Sequence, residues 1–187
     1  MPFELGRRCP GCVRRPFPFA RALAALAYGG SLAQAILRLK HGGSRHLAWP
    51  LAVYLKPWLA LAAKQGIDVV CPVPLHPRRL RRRGYNQALE LLRAARGTLP
   101  REDRLPTLCD ALGRVVDTPA LGHGTPGQRS QAVAGAFVAR GKMVAGKRIL
   151  VLDDVMTTGA TLAECARTLT LSGAREVWVL ALARALR

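Results

Sequence analysis

The run from Ile149 to Thr161, Ile-Leu-Val-Leu-Asp-Asp-Val-Met-Thr-Thr-Gly-Ala-Thr, constrains this chain more than any other stretch. Ile149 to Leu152 are continuously apolar, without the alternation of a half-exposed strand, which fits a strand covered on both faces in a parallel sheet. Asp153 and Asp154 follow where the strand is expected to leave the sheet, at the carboxyl edge where open α/β sheets bind ligands. Thr157-Thr158-Gly159-Ala160-Thr161 then offers hydroxyls and a tight turn, before the helical spacing of Leu162, Ala166 and Leu169 that stops at Gly173. Thr161 with Glu164 reads as a capping box, which places the helix start at Thr161. Amides at a helix N-terminus, flanked by threonine hydroxyls, seat a phosphate; adjacent carboxylates suit the hydroxyls of a sugar. The stretch outlines a sugar-phosphate site, and no P-loop or dinucleotide fingerprint follows a strand elsewhere.

With 187 residues the chain is sized for one main domain. A helical pattern covers Ala20 to Leu39, broken at Gly29-Gly30, with Ser31 as N-cap of its second part and Gly42-Gly43 as its stop. Lys40 and His41 at that end read as cations favoured by the helix dipole rather than as catalytic groups. A proline-interrupted helix spans 47–64, with Trp49, Leu51, Leu55, Trp58 and Leu59 as packing residues. Strands are expected at Asp68–Pro74, Thr107–Ala111, Ala134–Ala139 and Glu176–Ala183, and a helix from Asn86 to Gly97. Strands alternating with helices predict an α/β sandwich. Cys71, Cys109 and Cys165 read as small core residues.

Twenty-nine basic against 11 acidic residues give a formal charge of +18, and only five of the basic residues are lysines. Guanidinium forks match phosphate, so a phosphorylated ligand or a nucleic acid is the natural partner, although a compositional bias of the source can also produce arginine. The charge is densest at Arg78, Arg79, Arg81, Arg82 and Arg83. There a strand, a basic loop with Gly84 and a helix repeat the layout of the 149–161 stretch and suggest a second anion seat. Arg83 and Gly84, next to the helix start, are its candidates. Arg78, Arg79, Arg81 and Arg82 are candidates for contacts to single-stranded DNA, with some of them simply facing water. Residues 98–133, rich in Pro, Gly, Thr and Arg, read as a lid or binding loop in which Thr118, Arg129 and Gln131 would meet substrate.

Cys9-Pro-Gly-Cys12 is half of a zinc knuckle, so Cys9 and Cys12 are a candidate but incomplete Zn site, four ligands being the rule. Residues 1–19 are therefore set apart from a domain at 20–187. The start lacks the order of features of a secretory signal, and the apolar stretch 47–63 is broken by Pro50, Lys56 and Pro57. The expectation is a cytoplasmic protein with reduced cysteines and no membrane insertion.

The 149–161 stretch resembles the signature loop of type I phosphoribosyltransferases, which bind 5-phosphoribosyl-1-pyrophosphate (PRPP). The chain from Cys9 to Arg184 resembles the ComF/GntX family of phosphoribosyltransferase-like proteins, linked to DNA uptake in competent bacteria. The resemblance is carried by the Cys-x-x-Cys, Tyr28-Gly-Gly, Leu39-Lys40-His41-Gly42, Val73-Pro74-Leu75-His76, Arg83-Gly84-Tyr85-Asn86-Gln87-Ala88, Arg114, Thr118, Arg129, Gly135-Ala136-Phe137 and the signature itself. It implies a type I phosphoribosyltransferase fold, a parallel sheet flanked by helices, behind a truncated zinc-knuckle-like segment. It further implies Asp153 and Asp154 on the ribose hydroxyls, Thr157, Thr158, Gly159, Ala160 and Thr161 on the 5-phosphate, and Arg83 and Gly84 on the pyrophosphate with Mg. Phosphoribosyl transfer to an unknown acceptor is one expected function; a single-stranded-DNA-binding accessory protein of competence, regulated by PRPP, is the other. Three departures stand out: the first Cys-x-x-Cys of the family's zinc module is absent, and Leu121 and Ala132 stand where the family has glutamine and asparagine. The last two lie in the lid and bear on turnover more than on binding.

Overall fold

The structure, a computed structural model, describes residues 17–41, 43–118 and 125–185. Its centre is a four-stranded, wholly parallel sheet in the order β1-β6-β5-β2, where β1 is Arg21–Ala27, β2 Val69–Pro72, β5 Arg148–Met156 and β6 Glu176–Arg184. Helices cover both faces, which is the predicted α/β arrangement. The two faces of β5 feed two separate cores: Leu150 and Leu152 pack with Trp178, Leu180 and Leu182, while Ile149 and Val151 pack with Val177, Val179 and Ala181. All four residues of the apolar run are fully buried, as its lack of alternation required.

On the first core lie helix α1 (Gly30–His41), the short helix α2 (Ala48–Ala52), helix α3 (Lys56–Lys64) and helix α5 (Gln87–Thr98). Prolines divide the 47–64 stretch into α and 3-10 pieces, as expected. Leu51, Leu55 and Leu59 are buried there, but Trp49 is 60% exposed, because it falls on the outer side of α2. Between β2 and α5 runs helix α4 (Pro77–Arg83). A two-stranded antiparallel sheet of β3 (Leu112–Arg114) and β4 (Phe137–Ala139) encloses helix α6 (Pro126–Val133) between its strands in sequence; helices α7 (Gly141–Val144) and α8 (Ala160–Leu171) frame β5.

Several local expectations are corrected by tertiary contacts. Arg21–Ala27 is a strand and not a helix. Its Ala/Leu composition favours helix, but six register pairs with β6 and the Ala20 N–H donated to Val177 O (2.8 Å) satisfy its backbone along the sheet edge. The basic loop is the helix α4: His76 caps it by accepting from Arg78 N–H, Pro77 opens it, and Gly84, left-handed at φ 82, closes it. Instead of a strand at Thr107–Ala111 there is one bridge, Thr107 to Val70, and β3 begins at Leu112. Cys71 and Cys165 are core residues, whereas Cys109 is exposed. No helix among the described residues is long and apolar enough to cross a membrane. Cys9 and Cys12 lie outside the described residues.

Candidate functional site

The cleft at the carboxyl edge of the sheet is made by a divergence of strands. β2 ends its pairing with β5 at Pro72 opposite Leu152, where Val73 N–H donates to Leu152 O. β5 continues alongside β6 to Met156, so Asp153 sits opposite Ala181. The carboxylates therefore do not stand where β5 leaves the sheet; they stand where its neighbour β2 has turned away and uncovered one side. Into this opening of about 350 Å³ face residues from α1, α4, α5, β3, α6 and the turn after β5.

Asp153 and Asp154 are both buried. Asp153 Oδ1 accepts the N–H of Asp154 (2.8 Å). Asp154 Oδ2 lies 3.1 Å from Lys40 Nζ in an ion pair whose angle does not make a hydrogen bond. Burial, and then the neighbouring Asp154 charge, push the Asp153 carboxyl up to about 7, with Lys40 opposing the shift. A buried carboxyl raised this far beside a second carboxylate is the kind of perturbed group found where hydroxyl-bearing ligands are held.

The turn after β5 is built by Gly159, which adopts φ 80 and serves as N-cap of α8. The expected capping box of Thr161 and Glu164 is absent. Glu164 turns away to pair with Arg167 (2.6 Å) and to accept Gly135 N–H (2.8 Å), bonds that a buried carboxylate satisfies better than a lone cap amide would. α8 therefore begins at Ala160, whose N–H reaches Thr158 Oγ1 at 3.4 Å. Thr157, Thr158, Gly159, Ala160 and Thr161 all line the cleft.

On the facing wall, Arg83 donates to Gln87, the first residue of α5, and burial presses its guanidinium below the usual arginine range. Gly84 is not among the residues lining the cleft; it is the exposed end of α4. Asn86 ties this segment to the strand edge, accepting from Ala88 N–H (3.0 Å) and donating to Val73 O (2.9 Å). Of the lid candidates, Thr118 is buried and accepts from Arg114 on its hydroxyl and from Arg79 on its carbonyl. Arg129 donates to Thr157 Oγ1 (2.9 Å), joining α6 to the turn. Gln131 is exposed and away from the cleft, Ala132 lines it, and Leu121 lies outside the described residues.

The arginine run divides by direction. Arg79 turns inward to Asp117 Oδ1 (2.8 Å), while Arg78, Arg81 and Arg82 are exposed. A second cavity of about 410 Å³ beside the cleft is lined by Arg78, Arg79, Arg82 and Asp117, with Arg79 shared between the two.

Sequence reasoning missed the cleft positions of Lys40, read as a dipole partner, and of Arg79, read as a candidate contact to single-stranded DNA. The Leu39-Lys40-His41-Gly42 motif was the available signal for the first. It also missed α6 inside the lid, although Thr125-Pro126-Gly127-Gln128 spells a capping box with proline at the helix start, and that box is formed.

No family model matches the chain. It is 31% identical over 184 residues to the DNA utilization protein YhgH of Salmonella typhimurium strain LT2, covering 95% of this chain and 78% of that protein. The DNA utilization protein YhgH of Escherichia coli K12 is 30% identical over 182 residues at the same coverage. Competence protein F of Haemophilus influenzae is 36% identical over 121 residues, 63% of this chain and 51% of that protein. Among solved structures, the glutamine PRPP amidotransferase of B. subtilis complexed with ADP and GMP is 23% identical with a TM-score of 0.44, and an allosteric regulatory enzyme of purine biosynthesis is 22% identical with a TM-score of 0.42. Each match covers 73% of this chain and 26% of that protein.

Proposed function

The chain belongs to the ComF family, with the DNA utilization protein YhgH and competence protein F as relatives, and from this premise we propose that it binds PRPP and transfers its phosphoribosyl group to an acceptor. What supports the reading above all is convergence: the buried carboxylate pair, the threonine turn at the start of α8 and Arg83 share one cleft. Asp153 and Asp154 accept the ribose hydroxyls. The 5-phosphate sits on Thr157 to Thr161, where the first amides of α8 point outward and the helix dipole favours an anion. Arg83 draws the diphosphate to the opposite wall.

The bond from ribose C1 to the diphosphate breaks, the diphosphate leaves with the electron pair, and C1 bonds to the acceptor nucleophile. The ribosyl ring gains positive charge on the way, and the carboxylates beneath it lower the energy of that state. Among the described residues no three His, Cys, Asp or Glu side chains cluster as a metal cage, and Asp154 is paired with Lys40. Mg²⁺ accompanying the diphosphate would supply neutralisation of leaving-group charge, with Arg83 binding the same anion.

Calorimetry with PRPP and Mg²⁺ tests the binding. Heat is expected from the native protein and none from the Asp153→Ala, Asp154→Ala double variant; no heat from the native protein, or equal affinity in the variant, rejects the site. Pyrophosphate release with a panel of bases and amines tests turnover. A second reading, contact with single-stranded DNA in a cytoplasmic role, is favoured by the exposed side of α4 that carries Arg78, Arg81 and Arg82. It predicts affinity that falls steeply with salt and is lost on reversing those charges while PRPP affinity persists.

A further inference from the structure

Lys40 stands in the last turn of α1, whose Ile36 and Leu39 are fully buried in the first core. The Tyr85 hydroxyl donates to Leu39 O, fastening this helix end to the segment that follows α4. The lysine is thus carried into the cleft on a rigid support. Its ammonium lies 3.1 Å from Asp154 Oδ2, an oxygen with no hydrogen bond among the described residues, and the Asp154 side chain is only 3% exposed.

Two adjacent buried carboxylates cannot both stay charged without a cation close by. Facing them are Lys40 and His41 from α1, Arg83 from α4, Arg114 from β3 and Cys165 from α8. Burial and the surrounding cations hold His41 below its ordinary value and so toward neutrality, and Cys165 is a buried thiol held well above its usual range. Arg83 is engaged with Gln87, and Arg114 with Thr118. Among the described residues, Lys40 is the cation in ion-pair contact with Asp154. A carboxyl that takes up a proton becomes a donor, and a sugar diol needs acceptors.

We propose that Lys40 is a positioning residue of the cleft: its ammonium group, set by the C-terminal turn of α1, holds Asp154 and keeps both carboxylates available as acceptors for the two ribose hydroxyls. The inference rests on the PRPP reading above for the identity of the diol, and on the structure alone for the charge coupling.

The test uses the full chain as native protein, Lys40→Met and Lys40→Arg, each checked for native circular dichroism. First, carboxyl carbon NMR follows the aspartates without ligand. The Asp153 midpoint is expected to rise in Lys40→Met from its native position and to return in Lys40→Arg; an unmoved midpoint in folded Lys40→Met overturns the proposal. Second, calorimetry with PRPP and Mg²⁺ is run from about pH 6 to about pH 9. Lys40→Met is expected to bind roughly tenfold more weakly at pH 6 and about fivefold more weakly at pH 7, the effect of about one unit in the midpoint, and to recover at high pH, while Lys40→Arg stays near native. A loss of the same size at every pH marks a purely structural role and overturns the proposal as well. If native protein gives no heat with PRPP, the functional reading fails, and the carboxyl titration still decides the coupling.

Discussion

Gly159 and Gly84 adopt nearly the same left-handed backbone, φ 80 and φ 82, and each bounds a helix. Their surroundings differ completely. A side chain at Gly159 would touch Phe17 and Met156, the latter part of the second core; a side chain at Gly84 would meet open space. The same contrast extends to the charges beside them. The two carboxylates of β5 are buried and Asp153 is shifted by its surroundings, whereas the arginines of α4 are numerous but mostly solvated. Charge density in the sequence drew attention to α4, yet burial is what gives a charge an altered chemistry. Arg79 and Arg83, the members of the run that turn inward, are the ones that line the cleft.

Stability mutants give the broadest way to break this comparison. Leu152→Ala, at a fully buried position of β5, is expected to cost about 3 kcal/mol in urea unfolding, whereas Leu80→Ala on the exposed side of α4 should stay within about 0.5 kcal/mol. Similar losses at both would show that α4 is as integral to the fold as β5.

The next effect depends on pH and has opposite signs in the two regions. Asp153 is raised from an ordinary 3.8 to about 7, so its contribution to stability is fully present below pH 3.8 and is lost as pH rises through 7. Asp153→Asn, which keeps the acceptor for Asp154 N–H, should therefore stabilise the fold at pH 8 and do so much less at pH 4. Asp117 is held below its ordinary value by the hydrogen bond from Arg79, so its contribution is present above pH 3.8 and fades in acid. Asp117→Asn should lower the melting temperature at neutral pH and not in acid. Melting curves at both pH values check the pair of signs.

A smaller contrast comes from the glycines. Gly159→Ala should cost about 1–2 kcal/mol through its backbone conformation and disturb the turn at 157–161, while Gly84→Ala should cost about 1 kcal/mol by fraying the end of α4. The smallest expected effect is that of Arg78→Ala with Arg81→Ala: stability within about 0.5 kcal/mol and PRPP affinity unchanged, with any nucleic-acid affinity reduced in a salt-dependent way. A loss of PRPP affinity there would join the two regions into one site.

How legible each part was follows the range of the interactions involved. The strand at 149–152, the turn at 157–161 and the helix after it carry their signals in residues within a dozen positions of one another, and all were readable, down to the apolar run that both cores bury. Ala-rich Arg21–Ala27 misled because its strand state exists only through pairing with β6, more than 150 residues away in the chain. Glu164 misled for a similar reason, since its partner Gly135 comes from outside the helix it was thought to cap.

The sequence by itself determined the buried strand, the adjacent carboxylates, the threonine turn and the family resemblance, because each is written in local order and residue type. Only the tertiary structure decided that β2 turns away at Pro72 to open the cleft, that Arg79 and Arg114 grip Thr118, and that Lys40 meets Asp154 across 114 positions of chain. Those contacts depend on how the helices pack over the sheet, and ion pairs between distant residues leave no periodicity in the chain from which they could be read.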